Sequence, residues 1–205
     1  MFYDILDEKR MGILPMLKPF KERFYLAGGT GLALQIGHRD SADFDFFMDN
    51  HFDTPALYAH LTEAFRRTDL LKTLEEKDSL TVIVAGEVRL SFLRYPYALL
   101  NPCMNEENLR IASIEDTGCM KLSAVVSRAV EKDFVDLYVI LKKIPLKELL
   151  VSVKKKMPDL DANLVLKSLV YFDDIAEEKI KFRHGFKISL DEVRRFMEEQ
   201  VKMLM

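Results

Sequence analysis

Apolar residues recur at helical spacing through Ile5, Leu6, Ile13, Leu14, Leu17 and Phe20, interrupted by Gly12 and Pro15, which predicts a helix broken near Pro15 or two short helices. Phe24-Tyr25-Leu26-Ala27 is a short apolar run stopped by Gly28-Gly29, the pattern of a buried strand ending in a tight turn. Thr30 is placed to cap a following helix that carries Leu32, Ala33, Leu34 and Ile36 and closes at Gly37. From Ala42 to Met48 the residues alternate, with Ala42, Phe44 and Phe46 facing one way and Asp43 and Asp45 the other. Leu57, Leu61, Ala64 and Phe65 predict a helix over Thr54 to Arg67, with Thr54-Pro55 as its cap and first turn. Leu80 to Ala85 and Val88 to Leu93, separated by Gly86-Glu87, predict a hairpin.

Past about residue 113 the strand signals stop. Ile114 to Lys143 reads as one or two helices with Leu122, Val125, Val126, Ala129, Val130, Phe134, Leu137, Tyr138 and Leu141 on the buried stripe. Pro145 and Pro158 punctuate the remainder, Leu160 to Glu178 has a helical pattern, and Ser189-Leu190-Asp191-Glu192 opens a terminal helix. Mixed α/β structure is therefore expected to give way to helices near residue 110, as an α/β core over 1–110 and a helical region over 111–205 packed on it.

The 205 residues are 49% hydrophobic and 31% charged, so a buried core is expected and disorder is not. Thirty basic residues against 33 acidic ones leave a net charge of -3, which excludes a general nucleic-acid coat protein and makes any nucleic-acid contact local. Cys103 and Cys119 form no CxxC motif, so they read as reduced thiols. No window holds the 18 or so apolar residues that a membrane span needs, and a cytoplasmic location is the default expectation. Six lysines between Lys142 and Lys156 face a single acid, Glu148; they could meet an RNA backbone, although without interleaved aromatics or arginines a solvated helix end is the plainer reading. His38, His51, His60 and His184 show no ligand spacing.

Asp43 and Asp45 lie two apart on a strand, with Cα atoms roughly 6.6 Å apart and carboxylates on one face. Hard oxygen donors of this kind suit Mg²⁺, which takes one or two carboxylates plus substrate phosphates. Gly28-Gly29-Thr30 offers a phosphate cradle: backbone N–H groups unobstructed by Cβ, a hydroxyl and a helix N-terminus. Each part has a structural alternative, a plain turn or a solvated strand face, and the combination is what points to a metal-phosphate site. Further on, Lys121, Val125, Arg128, Lys132 and Asp136 fall at spacings of four, three, four and four, as one helix face. That face is either solvated, with Lys132 and Asp136 as an ion pair, or contacts phosphate, with Asp133 and Asp136 fixing Arg128 or Lys132.

The stretch Phe24 to Phe47, FYLAGGTGLALQIGHRDSADFDFF, resembles the signature of the nucleotidyltransferase superfamily, and most nearly its AbiEii/AbiGii toxin branch. Met120 to Arg128 and Glu131 to Tyr138 are similar to that branch's later Lys and Lys-Asp motifs, so the resemblance spans roughly residues 20 to 145. It implies an α+β fold with a small mixed sheet and flanking helices. It also implies transfer of a nucleoside monophosphate from an NTP to an RNA (tRNA) or protein hydroxyl with two Mg²⁺ ions, and a cognate antitoxin as partner. Carried over by position, Asp43 and Asp45 would hold Mg²⁺ and be catalytic, and Gly28, Gly29, Thr30 and Lys121 would bind the triphosphate. Arg39, Ser41, Ser91, Arg128, Lys132, Asp133 and Asp136 would support them. The pattern departs at one point: Val88 to Leu93 shows Arg89 or Ser91 where a third carboxylate is expected, with Glu87 on the same alternating face. Two other readings stay open, a non-catalytic descendant that binds nucleotide, RNA or a partner, and a small-molecule nucleotidyltransferase of the antibiotic-modifying kind.

Overall fold

The computed structural model describes residues 1–176 and 178–204. The first helix, α1 (Glu8–Leu17), starts where the Asp7 side chain accepts the Arg10 N–H at 2.9 Å. It contains Pro15 rather than breaking there, ends two residues later, and passes into a 3₁₀ turn over Lys18–Phe20. Strand β1 (Tyr25–Ala27) leads into α2 (Gly28–Ile36), which Gly37 closes in the left-handed region at φ +76°. Strand β2 (Phe44–Met48) follows, with Phe44 and Phe46 buried; Ala42 lies ahead of it and is exposed.

Helix α3 (Thr54–Ala64) is capped by Asp53, whose carboxylate accepts the Ala56 N–H at 2.9 Å, so Thr54 is the first helical residue and not the cap. A strand the periodicity does not predict, β3 (Leu70–Glu76), precedes the hairpin of β4 (Ser79–Val84) and β5 (Val88–Arg94). Short strands β6 (Met104–Asn105) and β7 (Arg110–Ile111) complete a seven-stranded mixed sheet in the order β3-β4-β5-β2-β1-β7-β6. The pairings β2–β5 and β1–β7 are parallel and the others antiparallel.

Five helices follow: α4 (Ile114–Ser127), α5 (Glu131–Leu141), α6 (Leu146–Lys156), α7 (Ala162–Leu169) and α8 (Leu190–Lys202). The helix expected over 160–178 stops at Leu169. The chain then runs irregularly alongside other segments, with bridges between Val130 and Ala176 and between Arg39 and Phe182. One face of the sheet packs Phe44, Phe46, Leu90 and Phe92 against α1 and α3, while Phe134, Leu137, Leu149, Val193 and Met197 build a second apolar cluster among the later helices. Helix α2 belongs to both: Ala33 and Leu34 enter the first and Leu32 and Ile36 the second. Among the described residues no helix is long and apolar enough to cross a membrane.

Candidate active site

The sheet's second face carries the chemistry. Alternation along β2 buries the phenylalanines below and leaves Asp45 above, with Asp43 just before the strand pointing the same way. Because β2 and β5 run parallel with Asp45 opposite Ser91, the residues beside the two carboxylates are Ser91 and Arg89. Arg89 Nη2 pairs with Asp43 Oδ2 at 2.9 Å, and both side chains are about half exposed. Burial pushes the Asp45 carboxyl above its usual value; Arg89 opposes the shift and the Asp43 charge adds to it.

The glycine turn lies directly against these groups. Gly28 sits at φ +67°, and a Cβ there would come 3.4 Å from Asp45 Oδ2. A Cβ on Gly29 would lie 2.5 Å from Arg39 Nη2 and 3.3 Å from the Ser41 hydroxyl, closer than side chains pack. The turn is therefore made of glycine because residue 28 takes a left-handed backbone and the Arg39 guanidinium occupies the space a Cβ on residue 29 would need. Thr30 does not cap α2, whose N-cap is Ala27. Its hydroxyl is buried one turn in, donating to the Asp43 carbonyl and lying 2.7 Å from the Ser41 hydroxyl. Thr30 thus ties the glycine turn to the approach of β2.

Behind the carboxylates is a buried ionic network. Asp136 Oδ1 accepts from Arg39 Nε at 2.8 Å and meets His38 Nε2 at 2.8 Å; Oδ2 accepts from Arg39 Nη2 at 2.8 Å and pairs with Lys121 Nζ at 2.6 Å. Burial alone would raise the Asp136 pKa, but Arg39 and Lys121 overcome it and hold the carboxyl well below its usual range. Lys121 also donates to Asp133 Oδ1 at 2.6 Å, and Arg128 Nε to Asp133 Oδ2 at 2.8 Å. The expected single helix face from Lys121 to Asp136 does not exist, because the helix ends at Ser127 and α5 restarts at Glu131. Asp136 consequently points inward, and Lys132 pairs with Glu178 at 3.3 Å instead of with Asp136. Val125, on the same supposed face, is buried.

These elements surround a cleft of about 580 Å³ with Gly29, Thr30, Ser41, Asp43, Asp45, Arg89 and Lys121 in its lining. Arg128, Lys132, Lys179, Lys181 and Arg183 line it as well. The last three belong to an irregular segment just past the predicted 160–178 helix; it is held in place by Asp40, which pairs with Lys181 at 3.0 Å and with Arg183. Sequence reasoning also missed His38, which is fully buried on Asp136. A usable signal existed: Asp136 lies within the apolar run Phe134-Val135-Asp136-Leu137-Tyr138-Val139, and a buried acid requires a cation. Glu87, the alternative third carboxylate, sits in the hairpin turn and pairs with Lys9 at 3.2 Å, away from the cleft. The lysine run does not form one solvated surface: Lys142 stacks on Tyr138 and Phe196, and Lys156 is buried on Asp116 at 2.8 Å.

Among the described residues no three His, Cys, Asp or Glu side chains converge as a metal cage. Asp43 and Asp45 alone offer adjacent carboxylates facing the cleft, and the desolvated Asp45 is a group that a cation would stabilise. That is the donor set of a cation shared with substrate phosphates rather than caged by protein.

Comparison with known proteins agrees with this architecture. The family described as nucleotidyl transferase AbiEii toxin, type IV TA system, matches residues 16–99. An uncharacterized protein of Aquifex aeolicus (strain VF5), aq_aa25, is 38% identical over 185 residues, covering 87% of this chain and 86% of its own. The nucleotidyltransferase toxin MenT4 of Mycobacterium tuberculosis H37Rv superposes with a TM-score of 0.61 at 14% identity, over 95% of this chain and 82% of that one. ANT(2")-Ia, in complex with adenylyl-2"-tobramycin, superposes with a TM-score of 0.53 at 12% identity, over 73% of this chain and 97% of that one. The fold is that of the nucleotidyltransferases. The chain belongs to the AbiEii nucleotidyltransferase toxin family.

Proposed function

We propose that the protein is a divalent-metal-dependent nucleotidyltransferase that moves a nucleoside monophosphate from an NTP to a hydroxyl of RNA or protein, in the manner of a toxin. The observation that carries this reading is that Asp43 and Asp45 line one cleft with Gly29, Thr30 and several basic side chains, with Asp45 against Gly28. Asp43 and Asp45 would hold Mg²⁺, which when bound would polarise the phosphates and orient the leaving group. The Gly28-Gly29 backbone, at the positive end of α2, offers its N–H groups to a phosphate. Thr30 and Ser41 fix the turn, and Arg39 beneath it is locked by Asp136 so that the cradle is preorganised.

In the transfer, the acceptor hydroxyl gives up its proton to solvent as its oxygen bonds to the α-phosphorus, the bond from that phosphorus to the bridging oxygen breaks, and pyrophosphate leaves with its charge. Lys121 reaches the cleft wall with its ammonium anchored by Asp133 and Asp136, which suits it to steady the triphosphate as a point charge. The basic side chains lining the cleft give a polyanionic acceptor a place to lie. A cognate antitoxin and a cytoplasmic setting accompany this reading through family membership.

The competing reading is a catalytically silent nucleotide- or partner-binding member of the family, and it is favoured by one observation, the guanidinium of Arg89 bonded to Asp43 where a third carboxylate is expected. Transfer of α-phosphate label from each of the four NTPs into total RNA, total protein and an aminoglycoside panel separates these readings. Label that appears with Mg²⁺ and disappears in Asp43→Ala/Asp45→Ala establishes the enzyme and its acceptor. Absence of label from folded protein with every NTP and acceptor favours the binding module.

A further inference from the structure

Arg89 is the feature of the cleft that the nucleotidyl-transfer reading leaves unused. It stands on β5, one strand from the carboxylates, in the row that Asp43 would share across the parallel ladder. Its bond to Asp43 engages only Nη2, and no other partner for the guanidinium is found among the described residues. Half of the side chain is exposed, and it lines the same cleft as Gly29 and Lys121. A guanidinium carries five N–H donors and keeps its charge throughout the physiological range, so four donors remain for an anion in the cleft.

Two divalent cations beside Asp43 and Asp45 would need further carboxylate oxygens, and the neighbouring positions on β5 hold Arg89 and Ser91 instead. A fixed positive charge bonded to Asp43 also repels a second cation brought to the same carboxylate.

We propose that Arg89 is a built-in counter-ion that takes the place of the second divalent cation, so that the site binds a nucleoside triphosphate with one metal ion and one guanidinium. In this arrangement Asp45 and the free oxygen of Asp43 hold the single ion, and the fork of Arg89 bonds the phosphate that a second metal would have neutralised. The inference rests on the nucleotide-binding reading above and specifies the electrostatics of its site.

The test counts Mn²⁺ by electron paramagnetic resonance on the full chain saturated with a non-hydrolysable NTP analogue, with circular dichroism confirming the fold of each variant. Wild type is expected to bind one Mn²⁺ per chain. Arg89→Asp, which restores a third carboxylate, is expected to bind two, and Arg89→Met to keep one while its affinity for the analogue falls about tenfold. Two ions in wild type, a single ion in Arg89→Asp, or unchanged analogue affinity in Arg89→Met would each overturn the inference and leave nucleotide binding standing. Folded wild type that binds no analogue with Mn²⁺ would overturn the nucleotide-binding reading and this inference together, an outcome distinct from the others.

Discussion

Asp136 shows how far one buried carboxylate can organise a site. It is inaccessible to solvent and receives the neighbouring His38 and Arg39 from one part of the chain and Lys121 from another. Removing one partner of such a cluster strands the remaining charges in a low-dielectric interior. Asp136→Asn is therefore expected to cost about 3–5 kcal/mol in urea unfolding at pH 7. The sign of the pH dependence follows from the depressed folded-state pKa. The stabilisation is complete above the unfolded carboxyl's usual value and is lost as pH falls toward the folded one. The gap between wild type and Asp136→Asn should hence narrow in acid. Asp45 behaves in the opposite sense, because burial raises its folded pKa and its charge opposes folding at neutral pH. Asp45→Asn is expected to raise the thermal midpoint at pH 7 while removing metal-dependent binding, a comparison made by calorimetry with and without Mn²⁺.

At the scale of elements, two glycines that look alike in sequence have opposite roles. Gly12 is exposed within α1, and a Cβ there meets nothing within 4 Å. Gly12→Ala should stabilise the protein by about 0.5–1 kcal/mol, read as a higher urea midpoint, by reducing the entropy of the unfolded chain. Gly29→Ala places a methyl group on an Arg39 guanidinium that Asp136 holds from behind. It is expected to cost about 1–3 kcal/mol in the same assay and to weaken nucleotide-analogue binding, since relieving the clash must move either the turn or the arginine.

The elements also differ in how they appear in sequence. Strands β1, β2, β4 and β5 alternate or run apolar because at least one face is buried, and periodicity found them. Strand β3 is an edge strand of Leu, Lys, Thr and Glu with nearly every side chain exposed, so it has no burial pattern and left no signal. The helical spacing over 160–178 was real only to Leu169. Beyond it, bridges to Val130 and Arg39 and the pairs with Asp40 set the path, and these contacts are distant in sequence.

Across the whole molecule, α4 and α6 are pinned to each other and to the loop after β5 by a second buried ion pair. Lys156, at the end of α6, bonds Asp116 Oδ1 and the Ala98 carbonyl, while Asp116 also accepts the N–H groups of Leu100 and Asn101. Lys156→Met leaves that carboxylate without its cation. It should cost about 3–5 kcal/mol in equilibrium unfolding, whereas Lys154→Met, on the exposed face of the same helix, should change stability by less than about 0.5 kcal/mol.

The sequence by itself determined the local parts of this protein: the glycine turn after a buried strand, the paired aspartates opposite the phenylalanines, and the hairpin beside them. Each of these depends on residues within a few positions of one another, where backbone geometry dictates which side chains share a face. Tertiary structure decided the rest. It set Arg89 on Asp43 through strand register, buried His38 and Arg39 on Asp136 nearly a hundred residues away, and brought the basic segment Lys179 to Arg183 into the cleft lining. Charges are placed by the need of buried ions for partners, and those partners are selected by packing between distant segments, which local spacing does not encode.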